Sequence, residues 1–392
     1  MYFEKKNAWL YIDSPWDLLV PCEDLNTTIE DERTSALCIS SHILGVFSGY
    51  IFPFVGVFGI IFNFMIFYVF MIRYPPKLRT RQLIYLSALA IADNFSIITF
   101  GWLWIFPAKG LPYISKGLIY YFTFNENNPT CKAHRYIYSF ASTLAVNLFL
   151  LTSIDRCLSI YKPLKYSKKG KTFAWTLVAI TTVISGILMT PFAIIISLNV
   201  NKQNLIICWI DDARFAVSGQ LYHVLFSNCG FIQTIAIITV NLALLYKLKN
   251  GQELRKELRN QTGSASKEIS ACILLVVLSS IFVIGSLPQS VAYMFAMYYQ
   301  SVPDSGDLVR LSYNFSDIGW HLFFIQEATN WFVYMARMKN FKEETVNMVL
   351  CRQTISHSNF TNQTQRNKMI DYDSTMHSRS LYDNQNNQSI KE

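Results

Sequence analysis

Seven long apolar runs follow one another along this chain, at about residues 44–72, 82–106, 131–161, 173–198, 220–247, 267–298 and 314–337, separated by short polar connections. A bilayer's hydrocarbon core is about 30 Å thick and needs roughly 20 helical residues to cross. Inside lipid every backbone polar group must be paired, which restricts spanning segments to helices or closed barrels, and runs this long are helices. The expected fold is therefore an all-α membrane protein. A seven-transmembrane helix bundle covers residues 44–338, with an N-terminal segment at 1–43. Composition fits: 52% of residues are hydrophobic and only 15% charged, where a soluble domain carries about a quarter.

The formal charge of +8 forms no continuous basic stripe, so nucleic acid is not an expected partner. The basic residues fall in the short connections. Arg73, Lys77, Arg79 and Arg81 follow run one, Lys162, Lys165, Lys168, Lys169 and Lys171 follow run three, and Lys249, Arg255, Lys256 and Arg259 follow run five. Lys and Arg in short loops mark the cytoplasmic side. The N-terminal segment, with Asp13, Asp17, Glu23, Asp24, Glu30, Asp31 and Glu32, is then outside and the C-terminus inside. Asn26-Thr27-Thr28 is a glycosylation sequon in that outer segment. Asn94-Phe95-Ser96 has the same pattern inside run two, where it would stay unmodified. No continuous apolar stretch follows Met1–Leu10, so a cleaved signal peptide is not expected. Under this topology Cys131 and Cys208 both meet an oxidising compartment, which favours a disulfide over free thiols. Cys22 and Cys38 are candidates for a second. Cys157, Cys229 and Cys272 read as packing residues.

Polar residues within membrane helices are costly and ask for a functional account. Here they are Asn63; Leu89-Ala90-Ile91-Ala92-Asp93; Cys131, with Arg156 25 residues on; Asp155-Arg156-Cys157, then Ile160, Pro163 and Leu164; Trp175; Phe282 and Pro288; and Asn330-Trp331-Phe332-Val333-Tyr334, then Phe341. In order and spacing they resemble the rhodopsin-like G-protein-coupled receptors over about residues 44 to 350. Asn241 and the Asn-aromatic-x-x-Tyr ending are similar to invertebrate receptors for FMRFamide-like neuropeptides. Departures stand beside the match. Cys157 replaces the family's Tyr and Trp331 its seventh-helix Pro. Gln233 lies near the missing fifth-helix Pro, and Gly285-Ser286 replaces Cys-Trp.

The resemblance implies a receptor that binds an extracellular ligand and activates a heterotrimeric G protein as helix six swings outward. Arg156 would bridge Asp155 and Glu268, twenty residues before Pro288, until that movement frees it, with Asn330 and Tyr334 in the same switch. Arg156, Pro163 and Leu164 would face the G protein. The alternative reading makes Arg156 and Glu268 ordinary interfacial charges and Leu164 a loop residue dipping into the interface.

Asn63, Asp93, Glu327 and Asn330 form an expected polar network. Glu327 lies one helical turn before Asn330, and two carboxylates in low dielectric cannot both ionise comfortably, so one is protonated or a cation such as Na+ sits between them. Ala145, where the resemblance places a serine, removes one oxygen ligand. Alternatively, Glu327 simply hydrogen-bonds a neighbouring helix.

Tyr138 stands where amine receptors carry an aspartate, and residues 318–334 hold no lysine for a retinal Schiff base, so amine receptors and opsins are disfavoured. Candidate ligand contacts are Tyr138, Ser142, Gln289, Tyr293, Asp317 and His321, although interfacial anchoring explains single aromatics equally, and His321 reads as well as a packing residue. Asp211, Asp212, Asp317 and the acidic N-terminal segment suit a cationic, amidated peptide.

Residues 339–350 fit an amphipathic juxtamembrane helix lying on membrane lipid, and Cys351 is a candidate for palmitoylation. The polar, Asn- and Ser-rich stretch 351–392 reads as a disordered cytoplasmic tail, with Ser and Thr sites for receptor kinases and arrestin. No repeated halves suggest a transporter and no catalytic or metal-ligand cluster suggests an enzyme. A non-coupling decoy or chaperone-like receptor stays open through Ser286, Gln233 and Trp331.

Overall fold

The computed structural model describes residues 32–76, 79–119, 127–162, 165–166, 168–200, 206–210, 213–227, 230–257 and 264–350. Met1–Met338 forms one unit and Lys339–Glu392 a second.

In the first unit, α1 runs through the consecutive segments Glu32–Val46, Phe47–Ile51, Phe52–Tyr68 and Val69–Arg73. α2 runs through Arg81–Ser96, Ile97–Gly110 and Leu111–Ile114, and α3 and α4 are Asn128–Tyr161 and Lys171–Ile195. The hairpin of β1 (Ile196–Val200) and β2 (Ile206–Ile210) follows. α5 comes in two halves, Ala213–Phe226 and Phe231–Glu257, before α6 (Ser264–Gln300) and α7 (Gly306–Arg337). Contacts run α1–α2, α2–α3, α3–α5, α5–α6, α6–α7 and α7–α1, with α4 against α2 and α3. That closes a ring with α3 packed against α2, α4 and α5.

Local chemistry explains the boundaries. The Thr80 side chain accepts from Leu83 N to cap α2, and Asn127 Oδ1 accepts from Thr130 N at 3.0 Å to cap α3, with Pro129 in the first turn. The C-terminal part of α2 widens into π-helical pairing over Ile97–Gly110, around Pro107, which has no N–H to give. The exposed side chains of Phe54, Ile187, Ile194 and Ile284 are apolar, as a lipid-facing surface requires.

Three features differ from the sequence expectation. α1 is helical from Glu32, twelve residues before the expected edge, and in this added stretch Ser40 and Ser41 accept hydrogen bonds from Asn314 Nδ2 of α7 at 2.9 and 3.1 Å. Small hydroxyl residues make that helix face without making an apolar run. α5 is interrupted between Phe226 and Phe231, where Gln233 Nε2 donates to the Phe226 carbonyl at 3.0 Å. A Cβ on Gly230 would lie 2.7 Å from the Leu225 carbonyl oxygen, so only glycine passes there. Third, among the described residues six helices are long and apolar enough to cross a membrane, and α7 is not one of them. Its buried Asn314, Ser316, His321, Gln326, Glu327 and Asn330 face protein, so it needs less apolar surface.

α6 and α7 make the most extensive contact in the bundle. Gly319 permits it: a Cβ there would lie 2.6 Å from the backbone of Gln289. In the second unit α8 (Lys339–Val349) is an 11-residue helix with Lys339 Nζ 3.8 Å from Glu343 Oε1 one turn on.

Candidate functional site

Among the described residues, two polar clusters and an aromatic wall lie along the bundle. At the end assigned to the cytoplasm, the last turns of α3 place Asp155 and Arg156 beside the first turn of α2. Asp155 is 1% exposed. Its Oδ2 pairs with Arg156 Nη2 at 3.3 Å, and its Oδ1 accepts from the Tyr85 hydroxyl at 3.3 Å and faces Arg81 Nε at 3.4 Å. The Arg81 contact is an ion pair without hydrogen-bond alignment. A buried carboxylate thus has two guanidinium partners and one phenol, as burial of a charge demands. Arg81 and Tyr85 were not singled out from sequence. In sequence Arg81 is one of four bases in a connection, and Tyr85 carries no signal that separates it from other helix aromatics.

The expected partner Glu268 lies on α6, but its side chain is outside the described residues, as are Pro163 and Leu164. Above Arg156, Phe149 of α3 stacks on Phe282 of α6 with centroids 5.2 Å apart, and Phe282 meets Phe323 of α7 edge-on at 6.2 Å. Ser286, one turn further, is fully buried and its hydroxyl has no hydrogen-bond partner.

Midway along the bundle, α1, α2 and α7 bring together the four residues of the expected network. Asn330 Nδ2 donates to Asp93 Oδ2 at 3.0 Å, Gln326 Nε2 donates to Asn330 Oδ1 at 3.4 Å, and Asn63 Nδ2 donates to the Glu327 carbonyl at 3.4 Å. Glu327 is 1% exposed and neither of its carboxylate oxygens has a hydrogen-bond partner. Ser96 adjoins it without hydrogen-bond alignment, and Asp93 acts on it through space. Asn63 Oδ1 is likewise buried without a partner. Tyr334 is buried with its ring 5.7 Å from that of Phe70. Trp331, in place of a proline, leaves α7 unbroken and stacks on Phe62 of α1 at 4.7 Å.

Toward the opposite end, Tyr138 stacks on Phe100 at 4.7 Å and lies parallel to Trp104 at 6.2 Å, and Trp320 meets Phe100 edge-on at 4.5 Å. Arg135, not singled out from sequence, spreads over this wall. Its guanidinium sits 5.3 Å from the Trp104 ring and donates to the Tyr138 hydroxyl at 3.0 Å and the Cys208 carbonyl at 3.1 Å. Tyr293 packs against His223 at 5.0 Å. The remaining ligand candidates divide. Gln289 Nε2 reaches Ser316 Oγ at 3.5 Å within the α6–α7 contact, Ser142 Oγ donates to the Tyr138 carbonyl of its own helix, and Asp317 is half-buried. His321 Nε2 lies 2.8 Å from Ser48 Oγ and its ring packs among Phe47 and Phe52 of α1.

The Cys131–Cys208 disulfide ties the first turn of α3 to β2, over a core of Met189, Phe192, Ile196 and Ile210. Cys38 is disulfide-bonded, while its candidate partner Cys22 lies outside the described residues. Asn26, Asp211, Asp212 and Cys351 also lie outside them.

A seven-helix bundle tethered by a disulfide at one end of α3, with a buried arginine–carboxylate pair at the other, has the build of a membrane signalling receptor. The chain belongs to the rhodopsin family of seven-transmembrane receptors: the family model described as 7 transmembrane receptor (rhodopsin family) matches residues 62–334. Comparison with curated proteins returned no match. Membership makes the protein a multi-pass, non-enzymatic receptor with an extracellular ligand and a G-protein partner.

Proposed function

We propose that this receptor sits in the plasma membrane with its N-terminus outside and is switched by an extracellular peptide, like the FMRFamide-like neuropeptide receptors it resembles. The observation that carries the switch is Asp155 holding Arg156 at 3.3 Å in a buried inner site. Ligand binding at the aromatic wall of Phe100, Trp104 and Tyr138 draws α6 outward, Arg156 leaves Asp155 and Glu268, and the vacated space admits the G protein. Pro163 and Leu164 take part in that contact. Asn330 and Tyr334 carry the change along α7.

Na+ fits the midplane network as a regulator. The two unpartnered Glu327 oxygens and Asn63 Oδ1 are the oxygen donors a hard cation takes, and Asp93 adds charge. Those residues would hold it, while Ala145 contributes no ligand.

The test is expression with a promiscuous G-protein readout against panels of neuropeptides, amines and lipids. A response confined to amidated peptides supports the reading. The second reading, a non-coupling decoy, draws on Ser286, whose buried hydroxyl replaces an aromatic that would link ligand to α6. Binding of a peptide without G-protein activation would establish it.

A further inference from the structure

Arg81 opens α2 with a guanidinium engaged on four sides. Nε faces Asp155 Oδ1 at 3.4 Å, and Nη1 donates to the Tyr166 carbonyl at 2.6 Å and the Lys169 carbonyl at 2.9 Å. Nη2 donates to Ser159 Oγ at 3.1 Å, and the Tyr166 ring lies 5.0 Å from the guanidinium carbon. Ser159 in turn donates to the Asp155 carbonyl. One side chain from α2 therefore fastens the connection between α3 and α4 to the carboxylate that holds Arg156. A solvated charge of the positive-inside kind makes no such set of contacts. Arg81 is only 12% exposed in its side chain.

The two oxygens of Asp155 are divided, Oδ2 to Arg156 and Oδ1 to Arg81 and Tyr85. Arg81 does two things through that division. It gives the 162–170 connection an attachment to α2 and Asp155, beside the turn bonds of its described residues, Tyr166 N to Lys162 O at 3.0 Å and Lys169 N to Tyr166 O at 3.1 Å. It also draws on the charge that restrains Arg156. Only arginine can do both, because its planar fork reaches two carbonyls and a carboxylate at once, while a lysine ammonium is a single point charge.

We propose that Arg81 is a positioning residue for G-protein coupling: it orders the connection between α3 and α4 against Asp155, so that the inner face is presented to the G protein already shaped. This rests on the proposed switch at Asp155 and Arg156. Prior ordering spares the partner the entropy of fixing a loop on docking, so its loss weakens engagement more than turnover.

The test uses the purified full-length receptor and a promiscuous heterotrimer. Arg81→Ala is expected to speed amide hydrogen exchange over residues 162–170. It should also raise the heterotrimer concentration for half-maximal nucleotide exchange about tenfold, the scale of one lost charge-assisted hydrogen bond, while the maximal rate per receptor changes by about twofold or less. Arg81→Lys, which retains charge beside Asp155, is expected to behave as Arg81→Ala and serves if the alanine variant does not fold. Unchanged amide exchange overturns the proposal, as does faster exchange with an unchanged heterotrimer titration, or a lysine variant equal to wild type. Glu268→Gln, titrated in parallel, separates the two readings. A failure to raise ligand-free exchange counts against the Arg156–Glu268 lock, and amide exchange then decides on Arg81.

Discussion

Asp155 and Arg156 owe their adjacency to sequence but their chemistry to burial. In water an exposed pair contributes about 0–1 kcal/mol and would hold nothing. Here Asp155 has almost no access to solvent and Arg156 little, so removing Asp155 takes the paired carboxylate from a buried guanidinium, whereas Asp155 without Arg156 keeps Arg81 and Tyr85. Arg156→Ala should reach the cell surface yet lose most ligand-driven nucleotide exchange, by about tenfold or more. Surface-normalised exchange equal to wild type would refute the switch. Glu327 poses a different problem, a fully buried carboxyl group with no hydrogen-bond partner next to Asp93. Replacing it with glutamine should abolish any dependence of agonist potency on Na+. Potency indifferent both to Na+ and to Glu327→Gln removes the cation reading.

Helices in this bundle are placed by what they bury. Over their apolar windows α2 is 78% buried and α4 only 17%, so α2 is an interior helix and α4 a lipid-facing one, although both have the apolar length to span. The α6–α7 contact depends on a missing side chain at Gly319. Gly319→Leu must push Gln289 and the backbone of α6 aside, at a cost of about 1–3 kcal/mol or more. Thermal unfolding of the purified receptor should fall accordingly; an unshifted midpoint would show that the two helices separate freely. The interruption in α5 follows the same logic, with the Gln233 amide replacing the backbone donor that the break removes.

For the molecule as a whole, the Cys131–Cys208 bond spans 77 residues and joins α3, α4 and the β-hairpin at one end. Closing a loop of that length stabilises by up to about 4 kcal/mol. Cys131→Ser and Cys208→Ser should each lower surface expression and the double variant should be no worse than either, since one bond is lost in all three. Additive losses in flow cytometry would mean that the two cysteines act separately.

Much of this was legible in the chain. Seven apolar runs with basic connections between them dictate a helical bundle, because lipid admits no unpaired backbone. Motif spacing brought Asp155, Arg156, Asn63, Asp93, Glu327 and Asn330 to notice, since ionisable and amide groups in apolar runs are conspicuous. Contacts between distant segments left no such trace. In sequence Arg81 is one more topological charge, and only the fold sets its fork on Tyr166, Lys169 and Asp155. Arg135 drew no notice until it lay across Trp104, and His321 turned to Ser48 of α1. Hydrophobic periodicity reports whether a residue prefers lipid or protein and is silent on which neighbour it meets. That choice belongs to the packing of helices far apart in sequence, where a single glycine or a buried carboxylate decides which side chains share a partner.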